Sequence, residues 1–489
     1  MQKPDVAKER WLAACLLLLT AGLLIESQTQ SFTADEGYHL VAAQSILHGK
    51  RPYLDFCFPQ SPLNAYWNAA WMSIFGDTWR TAHVAAALLT ALAVVLTAGY
   101  IRRRFPVPEW RLPLAIAAVF LFGLNSKVFV CGPVGQAYGI GLFCIVAAFR
   151  AAVRAREDDR ILFAGAAGLL ASAAANSSLL TAPVPIVLLI WIVVCNRAGS
   201  KGRKAAAFVA CGAVACTPLL WLFAHGPRQT IFSVIEYQGR YRLVDWPGAI
   251  AHDAGVMLSP LDSSQALVLG LLAVAGLLFA RKAPWDRAAR SEFSLCAWLA
   301  GAEIVFIANG HPNFPQYYMF AVPFLSILAC AAMYAAAVKL AASAPPGWPV
   351  VVPCLIVFLA LGKALYERRD YESWQDAEAI ARKIREIRPS GPVLADDAIY
   401  FLLRYPIPRG FELSDSHKLD LDPATMKQMH LVSKAEVERQ IRSGYYGLVE
   451  TWANEAWKQD NWIDDVGLPK LYSRHVEVGE GDIFWEKVR

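Results

Sequence analysis

Charge is scarce in this sequence. Asp, Glu, Lys and Arg make up 18% of its 489 residues, below the quarter usual in soluble domains, while 56% are hydrophobic. That balance excludes an ordinary water-soluble globular chain and calls for lipid as solvent. No glycine-rich phosphate loop and no dinucleotide fingerprint occur, so the common backbone cradles for nucleotides are missing. Ten cysteines show no metal-ligand spacing, and Cys15, Cys144, Cys195, Cys211, Cys216, Cys296, Cys330 and Cys354 fall within or at the ends of apolar runs, where thiols pack as small hydrophobes. No convincing internal repeat appears, which counts against the two related halves of many transporters. No clear small-x-small cleavage site follows the first apolar stretch before Glu26, so that stretch reads as a span rather than a signal peptide. The net charge of +5 is modest and gives no argument for nucleic acid.

Long apolar runs are what the chain has instead. They cover Trp11 to Ile25, Val84 to Ala98, Leu112 to Leu124, Phe163 to Ala175, Leu179 to Val194, Ala205 to Ala224 and Ala266 to Ala280, with further spans near 136–150, 293–309, 318–338 and 348–364. Several need flanking small and aromatic residues to reach the ~20 residues that cross a bilayer. The expected architecture is an α-helical polytopic membrane protein of about eleven transmembrane helices, residues 1–365, followed by a small α/β soluble domain, 366–489. With the N-terminus in the cytoplasm, one set of loops carries twenty Lys and Arg; the opposite set carries only Lys50, Arg51, Arg80, Lys127, Arg228, Arg240 and Arg242. The positive-inside rule then puts the N-terminus inside and, with an odd number of spans, the tail outside. Cys57 and Cys131 both face that oxidising side, where they either form a disulfide or remain two buried thiols.

The first outer loop, residues 26–80, is long and does not look like a linker. Tyr38, Val41, Ala42, Ser45 and Ile46 recur at helical spacing, as do Leu63, Tyr66, Trp67, Ala70, Trp71, Ile74 and Phe75, which predicts two short amphipathic helices. With Trp67 and Trp71 on its stripe, the second is expected along the membrane interface; a helix packed on neighbouring spans gives the same stripe. The turn-rich segment between them sets Lys50 and Arg51 at headgroup height, to meet a lipid phosphate or simply to anchor the interface. Asp35 and Glu36 open the first helix. Acids there are either ordinary first-turn residues favoured by the helix dipole, or a general base at the membrane boundary.

Asp35-Glu36-Gly37-Tyr38 after the first span, then Ala42, Ala43, Gly49, Pro52-Tyr53-Leu54-Asp55 and Pro59 to Pro62, resemble the first outer loop of the GT-C membrane glycosyltransferases. More narrowly the pattern resembles the bacterial branch related to protein O-mannosyltransferases and lipid A aminoarabinose transferases (glycosyltransferase family 39-like). The motif covers about thirty residues, whereas the architecture covers most of the chain. The resemblance implies transfer of a hexosyl or pentosyl group from a polyprenyl-phosphate donor to a hydroxyl of a lipid, glycan or protein on the outer face of a bacterial inner membrane, usually with inversion. It matches Asp35 to the family's first-loop acid, the base toward the acceptor, with Glu36 as the second candidate. Such an attack needs a base on one face of the sugar and stabilisation of the departing phosphate on the other, for which Lys50, Arg51, Arg240 and Arg242 are candidates. The missing nucleotide cradle fits a lipid-linked donor. One departure stands out: many relatives carry a second acid after the third span, whereas Asn125 to Tyr138 contains no carboxylate and Gln136 is the nearest substitute. The competing reading is a transporter or flippase of a lipid-linked sugar.

Two other outer loops carry candidates. His225 to Pro260 holds Glu236, Tyr237, Arg240, Tyr241 and Arg242, suited to a sugar face and a phosphate, or to an interfacial helix with snorkelling arginines. Asn309 to Tyr318 loosely resembles the loop before a late span in these transferases, and its His311, Gln316, Tyr317 and Tyr318 could hydrogen-bond donor phosphate or sugar; the plain alternative is a Pro-rich turn with an aromatic belt. Asp35 and His39 stand four apart on one helical face, weak ground for a divalent cation, and no metal site is assigned. Glu303 lies inside a predicted span, where an unpaired charge is expensive. In the tail, Trp374, Ala377, Ile380, Ala381, Ile384 and Ile387 predict an amphipathic helix, with strands at Pro392 to Asp396, Gly447 to Thr451 and His475 to Val478; Asp396 and Asp397 read as a turn cap.

Overall fold

The computed structural model describes residues 6–29, 35–195, 200–241, 249–310, 312–340, 347–369, 371, 373–404, 406–419, 421–452, 466–479 and 481–485. The expected residues Arg242 and His311 lie outside them. Two compact units emerge, each discontinuous in sequence. The membrane unit comprises Met1–Gln28, His83–Thr217 and Trp246–Arg368; the loop unit comprises Thr29–Ala82, Pro218–Asp245 and Arg369–Arg489. Residues 29–82 and 218–245 therefore group with the C-terminal segment.

The protein crosses the membrane several times. Among the described residues seven helices are long and apolar enough to span: Glu9–Thr29, Trp79–Arg104, Tyr138–Glu157, Ser264–Lys282, Arg287–Ala308, Pro315–Leu340 and Trp348–Glu367. Lys201–Ala215 and Thr217–His225 form an eighth, bent by 57° at Cys216. Ile161–Ser177 and Leu179–Cys195 are shorter apolar helices, and Arg111–Ala118 runs into a π-helical turn at Val119–Gly123. Every apolar stretch of the sequence is thus helical, as lipid requires of a backbone that must satisfy its own polar groups.

Small residues let these helices approach closely. A Cβ on Gly168 would sit 2.0 Å from the carbonyl oxygen of Phe208, and one on Gly276 would sit 1.9 Å from that of Leu328. Charges collect at helix ends, and several are paired there. Arg104 bridges Glu157 at 2.8 Å and also Glu292, which accepts Tyr100 Oη at 2.9 Å. Lys204, fully buried, reaches Asp159 at 2.5 Å and the carbonyl of Ala155 at 2.7 Å. Glu303, inside the Arg287–Ala308 span, is fully buried and neither carboxyl oxygen has a hydrogen-bond partner.

The loop unit is built on a four-stranded sheet of order β1-β2-β4-β3. β1 (Val393–Leu394) runs parallel to β2 (Leu448–Trp452), while β4 (Gly481–Trp485) runs antiparallel to β2 and to β3 (Arg474–Val478). The Trp374–Ile387 helix starts with a reciprocal cap between Ser373 and Asp376 and buries Trp374, Ala377, Ile380, Ala381 and Ile384, the stripe read from the sequence. Asp396 caps the Asp397–Leu403 helix through the N–H of Ala398 at 3.0 Å, and Asp397 accepts two hydrogen bonds from Ser414.

Both first-loop helices belong to this unit's core. Leu40, Val41, Ala43, Ala69, Met72 and Trp79 pack with Trp374, Ile380, Ile399, Phe401 and Leu448. Trp79 stacks on Trp374 with ring centroids 5.1 Å apart and donates from Nε1 to Glu378 at 2.9 Å. A Cβ on Gly37 would meet the backbone nitrogen of Ala398 at 2.6 Å, so the Glu36–Leu47 helix approaches at a distance only glycine allows. A second cluster joins Tyr38, Tyr53, Phe56 and Phe58 to Leu222, Phe232 and Tyr237 and to Leu413, Leu419 and Met426.

The first of these helices differs from the expected amphipathic one. The first is buried continuously from Glu36 to Ser45, because its polar residues find partners: Glu36 accepts Trp374 Nε1 at 3.3 Å and Gln44 donates to Asp77 at 2.9 Å. In the second, Leu63–Phe75, the buried face is Asn64, Ala65, Asn68, Ala69 and Met72. The apolar stripe is turned outward instead. Ile74 is 72% and Phe75 60% exposed, with Trp67, Trp71 and Phe75 in successive ring contact at 6.0 and 4.5 Å. Trp67 and Trp71 are half-buried and Phe75 is exposed, an aromatic row of the kind found at bilayer interfaces.

Candidate active site

Asp35 is the residue immediately before the Glu36–Leu47 helix. It is exposed, and its side chain does not cap that helix. Glu36 is fully buried beneath Trp374. The two adjacent acids therefore have opposite surroundings. His39, one turn on, is buried, stacked on Tyr38 at 4.6 Å, edge-on to Phe58 at 5.6 Å and 3.4 Å from Asn64 Nδ2. Burial drives its pKa down from 6.5 to about 3, so the ring is neutral. Among the described residues one group has three side chains spaced for a metal, His475, Glu477 and Asp482 on the β3–β4 hairpin, and it includes neither Asp35 nor His39.

The turn after this helix is closed on itself. Tyr53 takes a left-handed backbone (φ 68°), is buried, and donates from Oη to the carbonyl of Gln60 at 2.6 Å, while Gln60 donates to Tyr38 Oη at 3.0 Å. Arg51 holds Asp55 through Nε and Nη2, both at 2.8 Å, and through its backbone N–H at 2.7 Å. Those hydrogen bonds keep the Asp55 carboxyl below the usual range. Lys50 lies 3.3 Å from Glu412, a buried carboxylate that also accepts the Gly410 N–H at 3.0 Å. Gln238 donates to the carbonyl of Pro59 at 2.9 Å, which brings the Tyr237–Tyr241 helix beside the first loop. Arg240, on that helix, is 3.8 Å from Glu236, which also binds Arg228. Lys50, Arg51 and Arg240 all carry carboxylate partners, so a phosphate would compete for them.

Gln316, Tyr317 and Tyr318 sit half-buried on the 3₁₀ turn Pro315–Ala321 of the membrane unit. Tyr318 Oη accepts from Asn313 Nδ2 at 2.8 Å, Asn313 N–H donates to Asp253 at 2.9 Å, and His252 Nε2 lies 2.9 Å from the Asn313 carbonyl. Asn313 is fully buried and its Oδ1 has no partner. Sequence reasoning missed Asn313, Asp253 and Glu412. No local spacing signals any of them; Glu412 stands 362 residues from Lys50. Cys57 and Cys131 are free thiols, and burial pushes the Cys57 thiol up.

No protein-family model and no curated protein matches this sequence. Solved structures do match in fold. ArnT from Cupriavidus metallidurans bound to undecaprenyl phosphate aligns over 98% of both chains at a TM-score of 0.66 and 17% identity; its apo state gives 0.67 and 15%. The archaeal oligosaccharyltransferase AglB from Archaeoglobus fulgidus, in complex with an inhibitory peptide and a dolichol-phosphate, aligns over 83% of this chain and 61% of its own at 0.50 and 12%. The fold is that of the GT-C membrane glycosyltransferases, as the first-loop motif led us to expect.

Proposed function

We propose that this chain is a membrane glycosyltransferase. It moves a sugar from a polyprenyl-phosphate donor to a hydroxyl of a lipid, glycan or protein acceptor, with inversion, on the extracytoplasmic face. The fold shared over the whole length with a structure bound to undecaprenyl phosphate supports the class. The asymmetry of charge between alternate loops supports a cytoplasmic N-terminus, with residues 366–489 outside.

The observation that carries the mechanism is the contrast between the adjacent acids. Asp35 is exposed at the start of a helix held by the loop unit's core; Glu36 is buried under Trp374. Asp35 is the base that takes the acceptor's proton as its oxygen attacks the anomeric carbon. Glu36 positions the helix instead. Lys50, Arg51 and Arg240, exchanging carboxylate for phosphate, together with Arg242, offset charge developing on the departing lipid phosphate. His311, Gln316, Tyr317 and Tyr318 supply hydrogen bonds to the donor's sugar or phosphate.

The test is sugar transfer by purified protein in lipid discs, with radiolabelled polyprenyl-phosphate sugars and a membrane extract as acceptor. Asp35→Asn is expected to lower turnover by about 10²–10⁴-fold with folding unchanged. Equal transfer by the variant removes Asp35 from the mechanism. Donor movement across the bilayer without a new glycosidic bond replaces the enzyme reading with transport.

A further inference from the structure

The membrane unit holds a cavity of 420 Å³ at the junction of the Ser264–Lys282 and Arg287–Ala308 spans, and the candidate active site makes no use of it. Arg281, Arg287 and Arg290 line it, along with Leu277, Ala280 and Phe293. Only four residues, 283–286, separate the two spans, so the arginines lie at the end of the hydrocarbon layer, where headgroup phosphates lie.

The three arginines differ from the paired cations at the unit's other helix ends. Arg104 and Lys204 are neutralised by Glu157, Glu292 and Asp159. Among the described residues Arg281, Arg287 and Arg290 make no ion pair or side-chain hydrogen bond. The adjacent acids are already engaged: Asp286 caps its helix through the Ala289 N–H at 2.6 Å, and Glu292 is held by Tyr100 and Arg104. Three like charges around one cavity repel one another, and an anion at their centre reverses that balance. Guanidinium groups match phosphate oxygens by paired hydrogen bonds. Leu277, Ala280 and Phe293 form an apolar wall beside them, which a free phosphate would not need and an acyl chain would cover.

We propose that this cavity binds the headgroup of an anionic phospholipid, its phosphate among Arg281, Arg287 and Arg290 and its upper acyl chain against Leu277 and Phe293. With the topology proposed above, the site lies on the cytoplasmic leaflet. It does not depend on the transferase reading, because a lipid bound there makes no contact with Asp35.

The test is native mass spectrometry of the full-length protein in mild detergent, titrated with equimolar phosphatidylglycerol and phosphatidylcholine. Wild type is expected to retain one phosphatidylglycerol about tenfold or more in preference to phosphatidylcholine. Arg281→Gln/Arg287→Gln/Arg290→Gln is expected to lose that preference, and Arg160→Gln/Lys201→Gln/Arg203→Gln, which removes equal charge from the same membrane face, to keep it. Unchanged melting in phosphatidylcholine discs checks folding, and Arg290→Gln alone carries the test if the triple variant does not fold. Absence of preference in wild type, or equal loss in the control variant, overturns the site as a mere charge belt. Displacement of phosphatidylglycerol by millimolar inorganic phosphate overturns the lipid assignment.

Discussion

The two units solve the same problem, the placing of polar groups among apolar ones, in opposite ways. In the membrane unit glycines such as Gly168 and Gly276 permit tight helix crossings, and charges such as Arg104 and Lys204 are paired at helix ends. In the loop unit the core is assembled from segments hundreds of residues apart, and polar residues such as Glu36 on Trp374 and Trp79 on Glu378 are paired inside it. Apolar composition therefore locates a helix in the first unit, whereas in the second the burial of the Glu36–Leu47 helix is set by tertiary partners.

Four tests would break or sharpen this contrast. Trp374→Ala removes a fully buried ring, its stack on Trp79 and its hydrogen bond to Glu36. It is expected to cost the loop unit about 3–5 kcal/mol while leaving the spans helical. Limited proteolysis at residues 369–489 beside far-ultraviolet circular dichroism would check it; simultaneous loss of span helicity would mean that the units are not separable in stability.

Gly168→Val tests the other unit, because its Cβ would meet a backbone carbonyl rather than a flexible side chain. Overpacking of about 1–3 kcal/mol or more is expected, seen as a lower melting temperature in detergent, with the loop unit's protease resistance kept.

His39 sets a pH dependence on the loop unit alone. Its pKa is about 3 when folded and 6.5 when unfolded, so below pH 6.5 the unfolded chain takes up the proton and the folded chain does not. Stability is full above pH 6.5 and falls as pH drops toward 3, by up to about 1.4 kcal/mol per pH unit. Melting at pH 7.5 and 5.0 should differ by about 2 kcal/mol, and His39→Gln should flatten that difference. A difference that survives the substitution would assign it to another group.

Lys50→Gln and Arg51→Gln form the smallest contrast. Removing Lys50 strands the buried carboxylate of Glu412, at about 1–2 kcal/mol. Removing Arg51 breaks an exposed pair with Asp55 and costs under about 1 kcal/mol. Chemical denaturation of the two variants side by side gives the comparison; an equal cost would mean that the Lys50 pair is no more buried in effect than its neighbour.

How much was legible in the sequence follows the same division. The apolar runs located the described helices that are long and apolar enough to span, because lipid leaves a backbone no other way to satisfy its hydrogen bonds; the Ala249–Asp262 helix, read as outer loop, had no such run. The Trp374 to Ile384 stripe was legible for a local reason, the match of period to one buried face, and so were three of the four strands; β4 was not read as one. The Glu36–Leu47 helix was misjudged as one-sided because Glu36 and Gln44 look like surface residues until Trp374 and Asp77 are beside them. In the candidate site Asp35 was named from its place after the first span, but the carboxylates that hold Lys50 and Arg240 had no such signal for their pairing. Nor did Asn313 and Asp253, which meet across 60 residues.

The stack of Trp79 on Trp374 also has a consequence in time. Trp79 and its hydrogen-bond partner Glu378 are 299 residues apart. At about 5–20 residues per second, a ribosome needs on the order of 15–60 seconds to make the chain between them. Through that interval the helices at Glu36–Leu47 and Leu63–Phe75 exist without the surface that completes their core. The nascent first loop must wait with Leu40, Val41, Met72 and Trp79 uncovered, which makes it the stretch where a holding chaperone or the bilayer itself would matter most during synthesis.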